Sequence, residues 1–70
     1  MNLIQTLKKG YRILKQNNVD SYQLDAEILL SNSLKISKEE LLLNLSKKIN
    51  KFTYSKFLNF IKRRQNKEPI

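Results

Sequence analysis

Tyr22-Gln23-Leu24-Asp25-Ala26-Glu27-Ile28-Leu29-Leu30-Ser31-Asn32-Ser33 is the stretch whose reading decides the fold. At about 100° per residue its apolar members (Tyr22, Leu24, Ala26, Ile28, Leu29, Leu30) nearly encircle a helical axis. A helix that is apolar almost all round is buried among other elements. Residues 22–33 are therefore read as the central helix, capped by Ser21 or Asp20, with the rest of the chain arranged to cover it.

Upstream, Asn17-Asn18-Val19-Asp20 is a turn by composition. Before it, residues 2–16 form an amphipathic helix with Asn2 as N-cap. Leu3, Leu7, Tyr11 and Leu14 share one arc with Ile4 at its edge, and Lys8, Lys9, Arg12 and Lys15 lie opposite. Gly10 falls inside the apolar arc. It is either a tolerated defect costing about 1 kcal/mol relative to Ala or the mark of a close helix crossing, and both readings stand at this point.

Downstream, Ser37-Lys38-Glu39-Glu40 has the pattern of a capping box, with Ile36 and Leu41 at hydrophobic-staple spacing. A short helix over residues 38–44 follows. Residues 45–52 are open: Leu45 and Ile49 stand at helical spacing, but Lys47, Lys48, Asn50 and Lys51 break the apolar pattern. Thr53 is read as the cap of a last helix over residues 54–66, with Tyr54, Phe57, Leu58, Phe60 and Ile61 on one face. It stops before Pro69, which biases Glu68 away from helix. The fold class is all-α, a compact bundle of four to five short helices.

Composition agrees. Seventy residues make one domain, and a chain of that size removes only about 60% of its unfolded surface from water. There is no Cys and no His, so neither a disulfide nor an ordinary zinc site supports the fold. One Gly and one Pro leave few turn signals for hairpins. The longest apolar run is Leu41-Leu42-Leu43, far below the ~20 residues of a membrane span. The start, MNLIQTLKK, lacks the order of a secretory signal, and the expected location is cytoplasmic. The net charge of +8 has two readings. One is a phosphate-binding surface, hence a free-standing basic helical module that binds nucleic acid. The other is the Lys- and Asn-rich usage of an AT-rich genome.

Little catalytic chemistry is available. There is no His or Cys for nucleophilic or general-base work and no Gly-rich phosphate loop. Glu39 and Glu40 sit at a helix start, where the dipole favours carboxylates. Two charges stand out of place: Asp25 falls between Ile28 and Leu29 on its wheel, and Arg64 falls between Phe57 and Phe60 on the last. A buried charge is costly unless paired, and the planar Arg fork holds a carboxylate well. The expectation is a structural ion pair of Asp25 with Arg64 or Arg63; the alternative is that the side chains reach solvent at the helix ends. Lys62-Arg63-Arg64 beside Phe57 and Phe60 also suggests RNA contact, but those rings are at core spacing and a stacking platform has to be exposed.

Three segments carry a family resemblance in order: Leu24-Asp25-Ala26-Glu27-Ile28-Leu29-Leu30, then Phe57-Leu58-Asn59-Phe60-Ile61-Lys62-Arg63-Arg64, then Glu68-Pro69-Ile70. They resemble the N-terminal domain of the peptide chain release factor glutamine N5-methyltransferases, the HemK/PrmC family. Lys67 departs from the Gly that usually precedes Glu-Pro there. The resemblance implies a helical substrate-recognition head over residues 1–66 and the start of a linker at 67–70. The implied Rossmann-like methyltransferase domain, with its S-adenosylmethionine loop and its Asn-Pro-Pro-Tyr motif for the Gly-Gly-Gln loop of the release factor, is absent from this chain. The expected fragment is therefore an excised, non-catalytic domain without cofactor or metal. Its expected partners are the release factor and its own catalytic domain, with no membrane and no nucleic acid.

Overall fold

The computed structural model describes residues 1–66; Lys67, the Glu68-Pro69-Ile70 segment and the expected linker lie outside the described residues. Its four helices are α1 Leu3–Gln16, α2 Tyr22–Leu34, α3 Lys38–Leu43 and α4 Lys51–Gln65, an all-α bundle. α2 packs against α1, α3 and α4, and α1 also packs against α4. The core draws on every helix, through Leu3, Leu7, Leu14, Ala26, Leu29, Leu30, Leu41, Phe57 and Ile61, with Val19 from a turn. Leu24 departs from the encircled reading of α2: it is 47% exposed.

Each helix start is a small hydrogen-bonding problem, because the first amides lack intrahelical acceptors. At α1 the Asn2 side chain accepts from the Gln5 amide at 3.0 Å and the Gln5 side chain accepts from the Asn2 amide at 3.1 Å. That is a complete capping box, built with Asn and Gln. At α3 only the forward half of the expected box forms, from the Glu40 amide to Ser37 Oγ at 3.1 Å. At α2 neither Asp20 nor the Ser21 side chain caps: the Ser21 hydroxyl turns to the Asp25 carboxylate instead.

α1 and α2 stop in the same way. Asn18 and Lys35 adopt left-handed backbone at φ 61° and 59°. The amides that follow close back onto the helices, Val19 to the Leu14 carbonyl at 3.0 Å and Ile36 to that of Ser31 at 3.1 Å. Both are Schellman motifs with an apolar residue turned back onto the bundle.

Residues 45–52 do not form a fifth helix. The carbonyls that a helix there would use internally are taken by α1: the Leu3 amide donates to Lys47 at 2.8 Å and the Ile4 amide to Leu45 at 2.9 Å. The Ile49 amide donates in return to the Met1 carbonyl at 3.2 Å. This clasp ties the chain start to the segment before α4. That helix begins at Lys51 rather than Tyr54, because Asn50, in extended backbone, caps it by accepting from the Thr53 amide at 2.7 Å. Thr53 is thus the third residue of α4, not its cap. Where α1 and α4 cross, a Cβ on Gly10 would lie 2.7 Å from Phe57 Cζ. Gly10 therefore marks a close crossing.

Candidate functional site

Asp25 lies on the face of α2 that meets α4, and its side chain is 7% exposed. Two groups converge on one of its oxygens: Arg64 Nε donates to Oδ2 at 2.7 Å and the Ser21 hydroxyl donates to the same atom at 2.8 Å. Arg64 stands in the last turn of α4, its side chain 23% exposed. The partner brought to Asp25 is Arg64. Arg63, one position and about 100° round the helix, is exposed. A shallow depression lined by Asn18, Val19, Asp20, Ser21 and Arg64 adjoins the pair.

A second polar group joins α1, α2 and α3. The Tyr11 hydroxyl donates to Glu27 Oε2 at 2.8 Å, and Lys38 Nζ lies 3.4 Å from Glu27 Oε1. Burial first, then the hydrogen bond and charge of Glu27, push the Tyr11 phenol well above its ordinary value. Tyr11 stays neutral and donating at any ordinary pH. Its ring meets that of Tyr22 edge-on, with centroids 6.1 Å apart. Sequence reasoning missed this group; the signal was present, because a Tyr placed in an apolar arc needs a partner for its hydroxyl.

On the outer side of the α1–α2 contact is an open groove of about 410 Å³. Lys8, Arg12 and Lys15 line it, with the half-buried rings of Tyr11 and Tyr22. The Lys15 ammonium sits 5.7 Å from the Tyr22 ring centroid. Phe57 and Phe60, the aromatics beside Lys62-Arg63-Arg64, offer no stacking platform: Phe57 is fully buried and Phe60 packs against the core. Among the described residues no helix is long and apolar enough to cross a membrane.

The family model of the PrmC N-terminal domain matches residues 5–70. The chain belongs to the PrmC N-terminal domain family. Three relatives named release factor glutamine methyltransferase align with all of it: those of Clostridium botulinum at 37% identity, Buchnera aphidicola at 39% and Clostridium acetobutylicum at 33%. In each the chain spans 25% of the relative's own length. No solved structure matches it. Within the matched span, Asp25 and Glu27 of α2 face different neighbours: one carboxylate meets α4 and the other meets α1 and α3.

Proposed function

We propose that this chain is the substrate-recognition head of a protein-glutamine N5-methyltransferase, docking the peptide release factor whose Gly-Gly-Gln loop the enzyme modifies. The observation that carries this reading is the alignment of the whole chain with a quarter, 25%, of proteins named release factor glutamine methyltransferase. Residues 1–66 are the head and 67–70 begin the linker to the catalytic domain. The Asp25–Arg64 pair serves to hold α4 against α2, with no catalytic part. The enzyme would work in the cytoplasm.

Methyl transfer belongs to the remainder of those proteins, where S-adenosylmethionine supplies the methyl group. The one glycine of this chain faces Phe57 and Ile61 in the core and serves the helix crossing, not a phosphate- or cofactor-binding loop. Titrating the chain with release factor should give saturable binding. Excess chain should slow methylation of the release factor by a full-length relative, while the chain alone transfers no methyl group and does not bind S-adenosylmethionine. Absence of both binding and competition overturns the docking role, and saturable cofactor binding overturns the division of labour. The competing reading, a free-standing nucleic-acid module, rests on the +8 charge. Binding to RNA that falls steeply with salt, in the absence of release-factor binding, would favour it.

A further inference from the structure

The α1–α2 groove is a positive site without an internal counter-charge. Lys8, Arg12 and Lys15 are spaced four and three residues apart, so they project from one face of α1 over a length of about 10 Å. Among the described residues no carboxylate pairs with any of the three. Glu27, which accepts from the Tyr11 that lines the groove, is itself matched by Lys38. The base of the groove is preorganised: the edge-on Tyr11 and Tyr22 rings support each other, and Lys15 is held over Tyr22. Gln23 on α2 adds an amide on the other side.

We propose that this groove receives a short acidic peptide segment, rich in Asp or Glu, on the surface of the protein partner. The proposal rests on the docking role above and names the surface that carries it. Carboxylates suit the site better than a nucleic acid does. The two tyrosines pack against each other and are only half exposed, so neither offers an open face for a base. Three cations would also release few counterions from a polyphosphate, giving a weak and shallow salt response, whereas they match a short run of carboxylates.

The test compares three proteins: the unaltered chain, the groove variant Lys8→Glu/Arg12→Glu/Lys15→Glu, and a control with equal charge change, Lys47→Glu/Lys48→Glu/Lys51→Glu, whose side chains are exposed outside the groove. Each is titrated with release factor, with a fluorescein-labelled hexaglutamate peptide and with a labelled oligouridylate. The groove variant should lose about tenfold or more in affinity for release factor and peptide, and the control about twofold or less. If circular dichroism shows the groove variant unfolded, Lys8→Gln/Arg12→Gln/Lys15→Gln takes its place. Release factor binding equally to the unaltered chain and the groove variant overturns the groove and leaves the docking role standing. Peptide bound at the groove with no binding of release factor supports the groove and overturns the docking role. No binding of either probe overturns both. Oligouridylate bound more tightly than the peptide, and lost in the groove variant, overturns the carboxylate assignment.

Discussion

A Cβ added at Gly10 would meet Phe57 Cζ at 2.7 Å and Ile61 Cδ1 at 3.2 Å, and both of those side chains are buried. Gly10→Ala thus sets a helix-propensity gain of about 1 kcal/mol against an overpacking cost of about 1–3 kcal/mol. A net loss of about 1 kcal/mol is expected in urea unfolding, and a smaller loss when Gly10→Ala is made in a Phe57→Leu background, itself less stable because Phe57 is fully buried; a raised melting temperature for Gly10→Ala alone would contradict the close crossing. The sequence left Gly10 open because its own helix says nothing about what crosses it. Asp25 and Arg64 were more legible, since each wheel showed a charge inside an apolar arc. Their unequal exposure, 7% and 23%, predicts unequal costs. Arg64→Met strands a buried carboxylate with Ser21 alone and should cost about 3 kcal/mol. Asp25→Asn removes the charge but keeps an oxygen that can accept from Arg64, for about 1–2 kcal/mol. The double variant should be less damaged than the sum, and additivity in that cycle would show that the pair contributes no coupling.

Among the elements, α1 to α3 could be read to within about two residues, because periodicity marks each of them and the caps at Asn2 and Ser37 form as read, although the one expected for α2 does not. Residues 45–52 could not, and the reason is long-range: their carbonyls serve amides at the other end of the chain, a demand invisible to local spacing. The start of α4 was placed late because Asn50 and Thr53 are both good caps three residues apart. Only the backbone, extended at Asn50 with φ −81° and ψ 163°, decides between them. Lys35 was equally hidden, since Lys seldom signals a left-handed residue, whereas Asn18 in an Asn-Asn turn does. That contrast yields a prediction. Lys35 is exposed and holds φ 59° at the end of α2, a conformation that costs an L-residue with a Cβ about 1–2 kcal/mol. Lys35→Gly removes that strain at a position where Gly is the common choice, against some loss of unfolded-state restriction. A stabilisation of about 1 kcal/mol is expected in thermal unfolding; a neutral or lowered melting temperature would show that Lys35 is not strained there.

At the scale of the whole molecule, a chain of 70 residues without Cys or His depends on a single core. A core this small supplies only ~3–5 kcal/mol of net stability. The helices also lack independent footing. α2 touches all three others, and the Met1–Ile49 and Leu3–Lys47 hydrogen bonds join the chain start to the approach of α4, so no helix can leave without exposing the face of another. Unfolding should therefore be one cooperative transition, without ligand, with helical circular dichroism and tyrosine fluorescence changing together. Tyr11 and Tyr22 report the α1–α2 contact and Tyr54 the start of α4. The sharpest form of the prediction uses Leu30, which is fully buried on α2 where Leu29 retains 7% exposure. Leu30→Ala should cost about 2–5 kcal/mol, comparable to the whole stability of the domain, and should shift both signals by the same amount or abolish the fold outright. Leu29→Ala, at the rim of the same core, should fall at the low end of that range. If Leu30→Ala instead separates the two signals into distinct transitions, α4 with the clasp would be folding apart from the α1–α2 pair, and the bundle would be two weakly joined units.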